Sequence, residues 1–511
     1  MSEKRAIYAV SGIEEWVWLA QHCETKWGWK PIYWIAPPKI AGEAVRCFPD
    51  SIAHEFFDAA RGRPAYGLSG LCFRALDDQV LGRYRKYEDV AYRLMNRMDS
   101  GHAFEYGERR SFYLRQLMYW LNVVECYRPE VVLFSETPHF VCSYLLYAIC
   151  RELGIQTVMY ATISMPALVY VRSRVEDLPF TREGSPRPLP HQESHRLGWI
   201  GGHLRTVRGD YETAEPWYMK RQKKMRGEAG ASRLLQRLTR LGRWPHYAAV
   251  VLRRIAGTPH VPANYMKQAG RSPESSTFSP REWSRYKQEA RRKKRQLRKR
   301  YSTLSSRIDM TRPYVYLPLH YQPERTSTPE GGVYGDQWLL ANLVSRSLPQ
   351  GWRLVVKEHP SQFHDRLLGH LGRSMDFYDR LLALGNVSLA SVCSSSFAFI
   401  DKAKAVATLT GTAGWEALVR GTPVLVFGNA WYRACKGAFI VQTADDCEAA
   451  MARIQAGYRV DEVAVEAYAA AFARETAPAV LGPTTREGAG MSEQENLESL
   501  VWLLDEYMAA R

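Results

Sequence analysis

Four short segments of this 511-residue chain gather residue types that bind anions or move protons. The first runs Thr408-Leu409-Thr410-Gly411-Thr412-Ala413-Gly414-Trp415-Glu416. Small residues from Gly411 through Gly414 let an anion approach the backbone, and the N–H groups and dipole of a helix starting at Thr412 would favour a phosphate there. Glu416 falls about one turn into that helix, where a carboxylate could accept hydrogen bonds from ribose hydroxyls. The alternative is a tight strand-to-helix turn whose Glu merely suits the dipole. The second segment is Lys357-Glu358-His359-Pro360, a cation, a carboxylate and an imidazole at the end of an apolar run. His359 could donate to a phosphate and Lys357 could add charge, unless this is only a polar strand end. The third holds His320, just past another apolar run and ahead of Gly331-Gly332, which reads as a mobile loop. The fourth is Ser135-Glu136-Thr137-Pro138-His139. Glu136 and His139 are three apart in a strand-to-helix loop, so either could take a proton from a hydroxyl. Glu14 and Glu15 are rival bases.

These groups need elements to hold them. Residues 6–10, 31–35, 130–134 and 156–160 read as strands, with helices over 13–27 and from about 140 to Leu153, closed by Gly154. Strand, loop, helix, glycine, strand is the pattern of a βαβ unit with a parallel sheet. The pattern returns after residue 311, with strands predicted over 314–317, 353–357, 387–389, 405–409 and 424–427. Between them, basic clusters dominate: Lys220 to Arg226, Arg233 to Arg243 and Arg285 to Arg300. The expected division is an α/β domain over 1–200, a basic, mostly helical insertion over 201–310, a second α/β domain over 311–457, and C-terminal helices over 458–511 that pack back on the first domain.

Hydrophobic residues at 46% and charged residues at 24% exclude a mainly disordered chain. Nine scattered cysteines without a CxxC pair point to a reducing compartment rather than a disulfide framework. The start of the chain lacks an apolar signal core, and no run is long enough to span a bilayer. A net charge of +16 calls for an anionic partner: nucleic acid, a membrane face or a substrate. The mixed Leu/Arg stretch from Leu234 to Trp244 suits an interfacial helix. A nucleic-acid reader is disfavoured, because the basic runs lack spaced aromatics for stacking. No Walker loop, GxGxxG, HExxH or Asp-x-Asp pattern occurs, so chemistry without metal or cofactor is expected.

Taken in order, the residues from Tyr314 to Tyr432 resemble the capsule polysaccharide biosynthesis family, which includes the Kdo transferases of capsule assembly. The pieces are LPLHYQPE with the following GG and DQ, VKEHP, Ser394 to Ser396, TGTAGWEALVRGTPV and FGNAWY. The stretch VVLFSETPHF through YLLYAICRELGIQTV resembles the family's N-terminal half. The resemblance implies a GT-B architecture of two facing Rossmann-like domains. It also implies a nucleotide-sugar donor held by His320, Lys357, His359, Pro360, Ser395, Gly411, Thr412, Ala413, Gly414 and Glu416. The base, Glu136 or His139, and the glycan or glycolipid acceptor would belong to the N-terminal domain. The expected enzyme is a cytoplasmic, inverting glycosyltransferase using a CMP-Kdo-like or UDP/GDP-hexose donor. It would rest on the anionic inner membrane through the basic middle and use no specific nucleic acid. A sugar-nucleotide epimerase on the same scaffold is the alternative.

Overall fold

The computed structural model describes residues 3–65, 75–99, 104–163, 168–177, 193–209, 280–365, 367–486 and 490–510. The basic clusters at Lys220–Arg226 and Arg233–Arg243, and the Leu234–Trp244 stretch, lie outside them.

Two sheets organise the chain. In the first, β1 (Lys4–Ala9), β2 (Trp29–Ala36), β3 (Ile52–Glu55), β4 (Val131–Phe134) and β5 (Gln156–Thr162) run parallel, in the spatial order 5-4-1-2-3. The strands are apolar on both faces because helices cover both, the usual state of a parallel sheet. Tyr33, Phe134 and Met159 face one core, with Trp120 and Leu145 of the covering helices. Tyr8, Trp34 and Leu133 face the other, with Trp16, Leu19 and Leu500. Strand β6 (Leu168–Arg172) turns back antiparallel to β5, which the sequence pattern did not announce.

The second sheet is built from β7 (Tyr314–Pro318), β8 (Arg353–Lys357), β9 (Val387–Ala390), β10 (Ala405–Thr408), β11 (Val424–Val426) and β12 (Ala438–Ile440), all parallel, in the order 12-11-10-7-8-9. This is a doubly wound α/β arrangement in each half, as the GT-B expectation required. After the second sheet the chain returns to the first. β13 (Ala477–Pro478) pairs antiparallel with β6, and the helix Glu493–Ala509 packs on the helix Glu15–Trp27. Glu15, one of the rival bases, is sealed there by Arg486 and Asn496, so it holds the C-terminal segment rather than facing a crevice.

The basic run 285–300 lies in a helix, Pro280–Leu304. Its Leu297 and Tyr301 enter the core of the second sheet. Lys294 is buried too, its ammonium donating to the carbonyls of His364, Asp365 and Leu367 at 3.1, 2.7 and 3.1 Å. Arg281, Arg285, Arg291, Arg292, Arg295, Arg298 and Lys299 stay on the exposed side. No helix among the described residues is long and apolar enough to cross a membrane.

Candidate functional site

In a doubly wound sheet, ligands bind beyond the carboxyl ends of the strands where the strand order reverses. The second sheet reverses between β7 and β10. The loops after these two strands carry His320 and Gly411, and they touch: the backbone N–H of Thr410 donates to Nε2 of His320 at 3.3 Å. His320 is therefore an acceptor at Nε2. Burial, with Arg373 nearby, pulls its pKa down to about 4. Gln337 brackets the same residue, donating to its carbonyl and accepting from its N–H at 3.1 and 2.7 Å.

The Gly411 loop is narrower in function than its composition suggests. The N–H of Gly411 is taken by the Thr408 hydroxyl at 3.2 Å, and that of Gly414 by the Gly411 carbonyl at 3.1 Å. The amides of Thr412 and Ala413, the first two residues of the helix Thr412–Val419, have no acceptor among the described residues. These two groups, half-exposed, are the donors left for an anion. Gly414 is small for a packing reason. A Cβ there would lie 2.2 Å from the Tyr432 hydroxyl and 2.9 Å from Cγ2 of Thr408, and that hydroxyl donates to the Gly411 carbonyl.

Alternation along β8 sorts the Lys-Glu-His run onto two sides. Lys357 faces Glu416 of the helix Thr412–Val419, and His359 feels Lys357 and His320; Glu358 pairs instead with Arg373. The Lys357 ammonium donates to Ser396 Oγ at 3.0 Å and feels Glu416. Desolvation lowers Lys357 to about 8 and raises Glu416 to about 7, the latter held back by hydrogen bonding to Thr412 and by Lys357. His359 accepts the Ser361 N–H on Nδ1 at 3.1 Å, capping the 3-10 turn Pro360–Phe363 and leaving Nε2 as the donor. Burial first, then His320, Lys357 and Arg373, push it down to about 3, so it is neutral at pH 7. Ser395 is not in the cluster by contact; it caps the helix Ser396–Lys402, and its neighbour Ser396 makes the bond to Lys357.

In the sequence Glu358 is one polar residue of the Lys-Glu-His run. It is wholly buried and accepts from Arg373 Nε at 2.9 Å, Tyr378 Oη at 2.8 Å and its own neighbour's N–H, that of His359, at 2.6 Å. Nothing in the sequence near Glu358 marks Arg373 as its partner, because the contact spans a 3-10 turn and a loop.

The first sheet reverses between β1 and β4, and the loop after β4 carries Glu136 and His139. Nδ1 of His139 donates to the Thr137 carbonyl at 2.8 Å, and its Nε2 lies 3.8 Å from the Glu136 carboxylate. His139 is pulled down to about 4 by burial, whereas the Glu136 side chain is 40% exposed. Glu136 is thus the more exposed of the two. The loop also touches the other domain. Thr137 Oγ1 donates to the Glu330 carboxylate at 3.1 Å, and Arg172 reaches Thr137 and Glu330 at 2.8 and 3.0 Å. Gly331 is packed rather than mobile, since a Cβ there would sit 2.6 Å from the Ser327 carbonyl. The two crevices thus face each other across a shared polar seam. Among the described residues no trio of His, Cys, Asp or Glu is arranged to hold a metal ion. A cavity of about 590 Å³ lies at the other end of the first sheet, lined by Arg5, Arg83 and Glu130, away from all these residues.

Residues 331–454, the stretch bearing the Gly411 loop, Lys357 and His359, match the family model described as capsule polysaccharide biosynthesis protein. This segment is similar to the capsule polysaccharide biosynthesis family. The matched segment covers the second sheet from the loop after β7 to the helix Ala444–Gln455. No curated protein gives a significant match. Among solved structures, similarity is found to the beta Kdo 2,7 transferase KpsC of Thermosulfurimonas dismutans, at 22% identity over 32% of this chain and 51% of that one, with a TM-score of 0.20. The chain thus spans about half the length of that transferase. The UDP-GlcNAc 2-epimerase of Methanocaldococcus jannaschii matches at 10% identity over 91% of this chain and 98% of that one, with a TM-score of 0.25. That of Neisseria meningitidis, bound to UDP-GlcNAc, matches at 9% over the whole of both, with a TM-score of 0.21. At such scores the fold assignment rests on the two sheets themselves.

Proposed function

We propose that the protein is a glycosyltransferase of capsule polysaccharide assembly, moving a sugar from a nucleotide donor to a growing, lipid-linked glycan. The observation that carries this reading is the convergence, at the reversal point of the second sheet and inside the capsule-synthesis segment, of free amides at Thr412 and Ala413 with Lys357, His359 and Glu416. Free amides and a helix N-terminus suit the donor phosphate. A neutral His359 donates from Nε2 without burying a second cation. Glu416 accepts from the ribose. Across the seam, Glu136 removes the acceptor hydroxyl's proton as the nucleotide leaves, a single displacement that inverts the anomeric carbon. The proton passes to the carboxylate and the negative charge to the departing phosphate, where Lys357 and the two amides stabilise it.

The exposed cations from Arg281 to Lys299 support a place on the anionic inner face of the cytoplasmic membrane, each worth about 1 kcal/mol near such a surface. The test of the donor site is a thermal-shift screen with CMP, UDP, GDP and ADP on the wild type and Glu416→Ala. Stabilisation by one nucleotide, lost in the variant, is expected. Equal shifts in both proteins would remove Glu416 from the site, and no shift with any nucleotide would remove the transferase reading. An epimerase on this scaffold would instead turn over a nucleotide sugar with no acceptor present.

A further inference from the structure

Arg97 follows the helix Asp78–Met95 and is 4% exposed. Burying a guanidinium is costly unless it is paired. The other arginines near the seam have a carboxylate: the buried Arg172 and the half-buried Arg325 have Glu330, and the deep Arg373 has Glu358. Arg97 has none within 4 Å among the described residues. Its Nη1 donates to the His139 carbonyl at 3.2 Å, and that is its one hydrogen bond there. Burial lowers its pKa to about 10. The titratable groups facing it come from both domains: Glu136 from the β4 loop, and Glu324, Arg325 and Tyr321 from the loop after β7. Tyr321 in turn stands beside the His359 ring, 6.5 Å between centroids. Arg97 therefore lies between the proposed base and the proposed donor-phosphate ligand.

We propose that Arg97 binds an anionic group of the sugar substrate, a carboxylate or a phosphate, and so selects acidic sugars at the seam. This deepens the transferase reading and rests on it. A planar guanidinium with Nε and Nη2 unused can grip such a group through two parallel bonds, which an ammonium cannot match. Glu136 and Glu324 balance the cation without occupying those donors. They also discourage any substrate whose anionic group does not reach the guanidinium.

The test titrates the full chain, by calorimetry or ligand-observed NMR, with sodium glucuronate, inorganic phosphate and glucose as probes. CMP and UDP are run in parallel. The wild type is expected to bind glucuronate or phosphate and to ignore glucose, with glucuronate alone marking a sugar carboxylate and phosphate alone a phosphorylated sugar. Arg97→Gln should lose that binding by roughly 30-fold or more, the cost of truncating one partner of a buried charged pair. It should keep its nucleotide affinity. Arg97→Lys keeps the charge but not the fork and should fall between. Glucuronate, phosphate and glucose behaving alike on the wild type, or Arg97→Gln binding as the wild type does, would overturn the assignment. Loss of nucleotide binding in the wild type would overturn the transferase reading instead, while the anion arms still decide the role of Arg97.

Discussion

Replacing Glu358 by Gln keeps its shape and removes one charge. Both partners of the Glu358–Arg373 pair have fully buried side chains, so solvent cannot replace what is lost. Arg373 would be left as a buried cation with its remaining bonds to the Gln322 side chain and the His320 and Gly372 carbonyls. Breaking a buried pair by disabling one partner costs about 3–5 kcal/mol. At about 2–4 °C per kcal/mol for a domain of this size, the melting temperature should fall by roughly 6–20 °C. The same carboxylate accepts the His359 N–H, so the strand end carrying His359 should loosen and nucleotide affinity should fall as well. Urea and thermal unfolding give the first quantity, and calorimetric titration of the nucleotide gives the second. A double-mutant cycle with Arg373→Met isolates the pair, and the double variant should be more stable than the sum of the single losses. Melting within about 1 °C of wild type for Glu358→Gln would refute the claim that this ion pair holds the strand end.

Gly414→Ala should push the Tyr432 ring off the Gly411 carbonyl, costing about 2–4 kcal/mol from overpacking and a lost hydrogen bond, with nucleotide binding weakened; an unchanged melting curve counts against it. Glu136→Gln should abolish transfer in a radiolabelled-donor assay and leave nucleotide affinity as it was, and turnover at the wild-type rate removes Glu136 as the base. His320, His359 and His139 have folded pKa values of about 4, 3 and 4, below the usual 6.5, so the stability they contribute is whole above pH 6.5 and is lost as pH falls toward 4. Each steepens the acid limb by about 1.4 kcal/mol per pH unit in that window. Glu416, raised to about 7, works the opposite way, its burial penalty shrinking as pH drops from 7 toward its ordinary value. Unfolding measured from pH 7 to 5 should show a slope that flattens in His320→Gln, and an unaltered slope would clear His320 of any part in it.

The strands that could be read from the sequence are those whose apolar runs end in small or polar residues: β4 before Ser135, β7 before His320, β8 before His359. Parallel sheets need such runs, and the order of the runs sets the reversal points that gather His320 with the Gly411 loop. What escaped were contacts made between distant segments. Arg373 closes on Glu358 from beyond a 3-10 turn, Arg97 meets His139 from just past the helix Asp78–Met95, and Glu330 is claimed by the first domain's Arg172. The buried side of the 280–304 helix was hidden too, because Lys294 there is satisfied by carbonyls that carry no side-chain signal. Ser395 and Ser396 are adjacent and alike, and only the direction of the helix they open decides which one meets Lys357.

The last strand and the last helix belong to the first sheet, and this orders events on the ribosome. Tyr160 Oη donates to the Leu500 carbonyl, and Glu15 waits for Arg486 and Asn496. Chains are folded as they emerge, N-terminal parts first. Here the first domain is made first yet cannot finish. Its edge strand β6 and the groove beside Trp16 stay uncovered while several hundred residues are still to be synthesised. The second domain, whose sheet is continuous in the chain, can close before it. A released chain truncated just short of residue 477 should therefore present a protease-resistant second domain joined to a first that is still cleavable.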